Sequence, residues 1–249
     1  MNRHQFLARL HQLTRPRTYL EIGIESGYSI ALTRVPSIGI DPDFNIVAEI
    51  KADVHLARTT SDEFFARKDP LAHLPVPVLD LSFIDGMHLA EYVLRDYLAV
   101  ERFTTPASVV VFDDMLPRSV DEAARRRHTK YWTGDVFKAL DALREQRPDL
   151  VVIEVATTGS GTAMVLFPDA GQNGVLPGYD EWVTGALSED PQEVPQALLD
   201  RSRAVDPEWL LGFPGWQKLP GLRRGRGQTG VAGQAAVRQV FADLVAQLP

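Results

Sequence analysis

The chain of 249 residues contains no cysteine. A disulfide framework and a thiolate metal site are therefore both excluded. No apolar run approaches the ~18 residues of a membrane span, and the opening Met1–Arg9 lacks the apolar stretch of a signal peptide. Positive charge is in deficit: 26 Lys and Arg against 33 Asp and Glu leave a formal net charge of -7. That balance argues against a protein built mainly to coat nucleic acid. A cytoplasmic protein that engages neither membrane nor nucleic acid is the expectation. What is present is 45% hydrophobic and 24% charged residues, ample for one α/β domain of ordinary size with an extension.

Phe6, Leu7 and Leu10 place a short amphipathic helix over residues 2–13. Pro16 ends it, and residues 18–23 read as a first buried strand. A short helix is expected from Gly27, then strands over 37–41 and 54–58, with a turn at 59–62 and a helix through Phe64 and Phe65. Residues 78–84 and 108–112 read as further strands, and the helix between them runs from His88 to about Val100. The second of these strands is nearly all apolar, as when both faces of a parallel sheet are covered. Val136, Leu140 and Leu143 mark a helix that stops before Pro148. Residues 150–155 and 162–167 then form two strands of a hairpin. This order predicts an α/β fold: a doubly wound, mostly parallel seven-stranded sheet with ligands at the strand carboxyl ends.

After Pro168 the texture changes, which divides the chain into a domain over 1–170 and a C-terminal helical extension over 171–249. A helical stretch is expected around 194–204. Residues 212–233 hold seven glycines and two prolines in 22 positions and read as a loop or linker. Val237, Val240, Phe241, Leu244 and Leu248 then fit an amphipathic helix, which needs a surface to pack on. A homo-oligomer formed through this extension is one expectation. Trp182, Trp209 and Trp216 would line a lid or staple the extension to the core.

The first strand ends in Glu21-Ile-Gly23-Ile-Glu-Ser-Gly27-Tyr-Ser. A glycine turn lets a ligand approach the backbone, and the segment after it offers free N–H groups. Its glycine spacing does not match the G-x-G-x-x-G dinucleotide fingerprint, which disfavours an NAD-linked oxidoreductase. Asp41 ends the second strand, where a carboxylate can accept hydrogen bonds from both ribose hydroxyls. Read alone, these are also the features of a tight packing turn and a capping aspartate. Further along, Asp85 in Phe83-Ile-Asp85-Gly-Met-His88 and the pair Asp113–Asp114 lie 28 residues apart, room for one helix and a returning strand. Adjacent strand ends would bring three carboxylates together, and these repel unless a cation or protons intervene. Oxygen ligands without cysteine favour Mg²⁺, Mn²⁺ or Ca²⁺ over zinc.

The segment 21–29 resembles the first motif of class I S-adenosylmethionine-dependent methyltransferases, in the form found in catechol-type O-methyltransferases. Phe83–His88, Val111–Asp114 and Trp132–Val136 are similar to motifs of a bacterial metal-dependent O-methyltransferase group that includes sugar and polyketide enzymes. The resemblance spans about residues 15–170. It implies a Rossmann-like methyltransferase fold with S-adenosyl-L-methionine as cofactor. Glu21, Gly23 and Gly27 would lie at its methionine end, Asp41 at the ribose, and Thr60 or Ser61 beside the adenine. It also implies Mg²⁺ held by Asp85, Asp113 and Asp114. Some relatives carry a second aspartate two residues after the first ligand; Met87 stands there in this chain, which leaves His88 as the base for a substrate hydroxyl. The expected reaction is O-methylation of a small hydroxylated molecule such as a sugar or polyphenol. A methyltransferase-like scaffold without catalysis is the alternative, and the retained acids weigh against it. The run Arg125–Lys130 reads first as a solvated face and second as a holder of an anionic or sugar-phosphate substrate. Arg223–Arg226 reads as a solvated loop sooner than as an RNA contact.

Overall fold

The computed structural model describes residues 1–172, 174–224 and 230–249. Its centre is a seven-stranded sheet in the order β3-β2-β1-β4-β5-β7-β6. The strands are β1 (Tyr19–Ile22), β2 (Ser37–Ile40), β3 (Val54–Ala57), β4 (Leu81–Ile84), β5 (Val109–Asp113), β6 (Val151–Val155) and β7 (Thr162–Leu166). From β3 across to β5 all neighbours are parallel, while β7 lies antiparallel between β5 and β6. This is the doubly wound, mostly parallel sheet expected from the alternation of apolar strands and helices. Every residue of β1, β2, β4, β5 and β7 is buried, as two covered faces require.

Alternation along the strands sorts the core into two layers. Leu20, Ile22, Ile84, Val110 and Phe112 face one layer. It is closed by α2 (Ser61–Phe65), α3 (Ala90–Glu101) and α4 (Lys138–Gln146). Tyr19, Leu81, Phe83, Val109 and Val111 face the other layer, with Phe6, Leu7 and Leu10 of α1 (Arg3–Thr14). The helix expected from Gly27 is only a 3-10 turn, Ile30–Leu32, and no helix joins β2 to β3. The second face therefore lacks the crossover helices that usually cover it.

The C-terminal residues cover that face instead. Beyond α5 (Tyr179–Ala186) and the single turn α6 (Gln196–Leu199) come α7 (Pro207–Leu211), α8 (Leu219–Leu222) and α9 (Gly230–Val245). Leu210, Trp216, Leu219, Val237, Phe241 and Leu244 share one buried cluster with α1 and β5. Trp216 is fully buried, packs edge-on to Phe241 at 4.9 Å and donates its indole N–H to the Leu210 carbonyl at 2.7 Å. Two expectations are corrected here. The helix around 194–204 is reduced to α6, and the described part of 212–233 is packed helix, not a linker. Its prolines mislead because Pro214 and Pro220 sit in the first turns of helical segments, where a missing N–H costs nothing. Arg223 is likewise no solvated contact: it is buried and donates to the carbonyls of Thr14, Ala107 and Asp80. Arg226 lies outside the described residues. Trp182 packs against the first layer and Trp209 is 40% exposed, so Trp216 is the staple. Among the described residues no helix is long and apolar enough to cross a membrane.

Candidate active site

Register sets the site. Ile22 pairs with Ile84, and Ile84 with Phe112, so Gly23, Asp85 and Asp113 emerge side by side at the carboxyl ends of β1, β4 and β5. Gly23 has φ +84°, and a Cβ there would lie 1.8 Å from the Asp85 carbonyl oxygen. Only glycine permits strand ends this close. Above them opens a cavity of about 990 Å³ whose wall includes Gly23, Asp41, Ser61, Asp85, His88 and Asp114. Glu21, Gly27 and Asp113 lie behind that wall. Glu21 is fully buried and accepts hydrogen bonds from Tyr19 at 2.7 Å and from Ser29. Burial pushes its carboxyl up to about 8, against those bonds. Gly27, at φ +83°, closes the turn through its N–H to the Ile24 carbonyl at 2.7 Å.

At the far end of the cavity Asp41 accepts the backbone N–H groups of Glu25 at 2.9 Å and Asp43 at 2.7 Å. Those bonds fix its carboxylate at the tip of β2. Thr60 caps α2 with a capping box through Glu63, which sets Ser61 at the cavity wall. The Ser61 hydroxyl donates to Asp96, a residue the sequence did not single out. Burial holds the Asp96 carboxyl up at about 7, with the Ser61 bond working the other way.

Asp85, His88 and Asp114 each offer a ligand atom, all within 4.8 Å of one another. Asp114 has φ +61°, a left-handed conformation that aspartate tolerates better than most residues. It lines the cavity while Asp113 does not. The Asp113 side chain is 2% exposed and paired with Arg3, which also contacts Asp85 at 3.1 Å. Burial, then repulsion from Asp114, raises Asp113 to about 6 despite Arg3. Burial and a neighbouring aspartate likewise hold Asp85 and Asp114 above the usual carboxylate range. The cluster is thus short of positive charge. Its donor atoms suit a hard divalent cation with oxygen bonds of ~2.0–2.6 Å. Arg3 had no chemical motif in the sequence. The signal was the capping box of Asn2 and Gln5, which starts α1 at Arg3 and so brings it to the sheet edge.

His88 Nδ1 lies 3.0 Å from the Trp132 carbonyl and 3.2 Å from Asp114, and Nε2 lies 3.6 Å from Asp85. A carbonyl only accepts, so Nδ1 carries a proton and Nε2 is the nitrogen that gains or loses one. Burial of the imidazole disfavours its charge. The Asp85 bond and the carboxylates of Asp114 and Asp85 outweigh that and raise it to about 9. The segment Trp132–Val136 proves to be the cradle of this histidine. The Trp132 ring stacks on it at 5.0 Å and 14°. Gly134, at φ +64°, lies so near that a Cβ would be 1.7 Å from the His88 carbonyl oxygen. Asp135 accepts the first N–H of α3, from Ala90, at 3.0 Å.

A family model described as a methyltransferase domain matches residues 20–115. No curated protein matches the chain. Among solved structures, a candidate O-methyltransferase from Klebsiella pneumoniae is similar with TM-score 0.50 and 20% identity, over 66% of this chain and 79% of that one. Cofactor-bound Rv0187 from MTB is similar with TM-score 0.50 and 17% identity, over 68% of this chain and 81% of its own. These structures share the fold. The matched segment runs from β1 to β5, the strands whose carboxyl ends line the cavity.

Proposed function

We propose that the protein is a class I methyltransferase that transfers the methyl group of S-adenosylmethionine to an oxygen of a small hydroxylated molecule, such as a sugar or polyphenol, with Mg²⁺ assistance. The observation that carries this reading is the convergence of Asp85, His88 and Asp114 on the cavity that also holds Gly23 and Asp41. In this reading Gly23 admits the methionine end of the cofactor, with Glu21 and Gly27 shaping the turn beneath it. Asp41 holds the ribose and Ser61 flanks the adenine. Residues 1–170 carry the chemistry, and residues 171–249 complete the core behind it.

Asp85 and Asp114 would hold the metal, and Asp113 would add a carboxylate where Arg3 releases it. A divalent cation there supplies countercharge and lowers the pKa of a bound hydroxyl. The chain's own contribution is the proton acceptor. Asp85 and Asp114 raise His88, and with their charge compensated its Nε2 would be the atom that accepts the hydroxyl proton. Trp132 keeps Nδ1 protonated and the ring fixed, so Nε2 alone faces the reacting oxygen. Closing strand ends around Gly23 hold donor and acceptor in one cavity, which favours in-line attack.

The test is incubation with methyl-labelled S-adenosylmethionine and a panel of catechols and sugars, with Mg²⁺ or with EDTA. Labelled methyl ethers that vanish in EDTA are the expected result. Label appearing on nitrogen or carbon, or on no acceptor at all, would overturn oxygen transfer. Methyl ethers formed equally well in EDTA would overturn the metal role alone.

A further inference from the structure

The segment between β5 and α4 forms the rim of the cavity and carries most of its cations. The basic run within it is sorted by structure. Arg125 is tied to Glu91 at 2.6 Å and Asp135 at 2.7 Å, so it braces the fold. Arg126 does not line the cavity; its backbone N–H is bound by Asp190 at 3.0 Å. His128 lies 3.6 Å from Asp121. Arg127 and Lys130 do line the cavity, and neither has an acidic partner within salt-bridge distance among the described residues.

Glu25, Asp41 and Asp62 line the end assigned to the cofactor, while Arg118, Arg127 and Lys130 line the rim beyond the Asp85–His88–Asp114 cluster. Glu122, also on that rim, pairs with Arg118, which leaves Arg127 and Lys130 as its uncompensated cations among the described residues. Tyr131, 62% exposed, has the Arg118 guanidinium 4.9 Å and the Lys130 ammonium 5.5 Å from its ring centre. The Arg127 guanidinium lies 5.8 Å from the Trp132 ring, the same ring that stacks on His88. Two unpaired cations beside two aromatic faces form a surface for a flat or short ligand with a negative group. A chain of net charge -7 repels anions in general, so a local positive rim decides whether one can enter.

We propose that Arg127 and Lys130 bind an anionic group, a phosphate ester or a carboxylate, on the methyl acceptor. Trp132 and Tyr131 carry its apolar part, and the accepting hydroxyl reaches inward to His88. The proposal rests on the methyltransferase site described above and adds the class of its substrate.

The experiment is calorimetric titration of the metal-free full-length chain with phenyl phosphate, benzoate and neutral phenol, with S-adenosylhomocysteine titrated in parallel. At least one of the two anions should bind saturably and more tightly than phenol. Which of the two binds distinguishes a phosphate from a carboxylate ligand. The double variant Arg127→Gln, Lys130→Gln should weaken that binding by about tenfold or more. Arg126→Gln should leave it unchanged, and all variants should bind S-adenosylhomocysteine as the parent does. Anions binding no better than phenol, or equally well to the double variant, would overturn the proposal. Loss of S-adenosylhomocysteine binding in the parent, with anion binding intact, would instead overturn the cofactor assignment and leave the rim site standing.

Discussion

Replacing Arg3 by Gln tests the electrostatics of the carboxylate cluster. Asp113 is held at about 6 while its side chain is 2% exposed, against ~3.9 in an unfolded chain. A carboxyl raised on folding contributes stability that is full below the unfolded value and lost as pH rises through the folded one. For the parent that window is between about 4 and 6, and ionising Asp113 at pH 7 costs the fold about 3 kcal/mol. Without Arg3 the folded value rises further, so the loss continues above pH 6. The penalty is capped, because the group takes a proton once ionisation costs more than protonation, about 4 kcal/mol at pH 7. The extra ionisation penalty of the variant is therefore near zero at pH 5.5, about 1 kcal/mol at pH 7 and up to about 3 kcal/mol at pH 8.5. A pH-independent loss of about 1 kcal/mol for the missing hydrogen bond adds to it. Urea unfolding of parent and variant at the three pH values measures the difference directly. A gap that is constant with pH, or that shrinks toward pH 8.5, would refute the reasoning. The same variant frees Asp113, so Mn²⁺ titrated by electron paramagnetic resonance should bind more tightly than to the parent.

Three further outcomes follow from the geometry. Asp114→Asn should lower methyl transfer about a hundredfold or more, while calorimetry shows S-adenosylhomocysteine binding largely unchanged; equal turnover would remove Asp114 from the site. Gly134→Ala places a Cβ 1.7 Å from the His88 carbonyl oxygen at φ +64°. It should lower the melting temperature and abolish transfer together, and a silent substitution would show that His88 needs no such support. Trp216→Ala empties a fully buried site in the second layer. It should destabilise the chain by about 3–5 kcal/mol in urea, whereas a loss below about 1 kcal/mol would mean the C-terminal residues do not close the core.

Local pattern made the sheet legible. Continuous apolar runs such as Val109–Phe112 identify strands buried on both faces, and their order implies which carboxyl ends meet. Asp85 and Asp113 were legible as neighbours for that reason, whereas the close approach of Gly23 to Asp85 was not. Contacts made across the chain were not. Arg3 reaches Asp113 and Asp85 from α1, and nothing near it in sequence names those partners. Asp96 reads as one more polar position on α3 until Ser61 is seen beside it. Trp132–Val136 was recognisable as a motif, yet its work lies in shape: a carbonyl on Nδ1, a stacked ring, a glycine pressed against a backbone oxygen. The C-terminal residues misled for a different reason. Glycine and proline are punctuation only where the backbone is exposed, and here Pro214 and Pro220 open helical turns that Trp216 and Leu219 pin to the core. Burial supplied by distant partners overrode local propensity.

The central claim is that this cavity binds S-adenosylmethionine beside a cation-demanding carboxylate cluster. Calorimetric titration of metal-free protein with S-adenosylhomocysteine, repeated after adding Mg²⁺, tests it most directly. Saturable one-to-one binding in both conditions, with a separate heat for Mg²⁺ that disappears in Asp114→Asn, is the expected result. Absence of S-adenosylhomocysteine binding in either condition would contradict it.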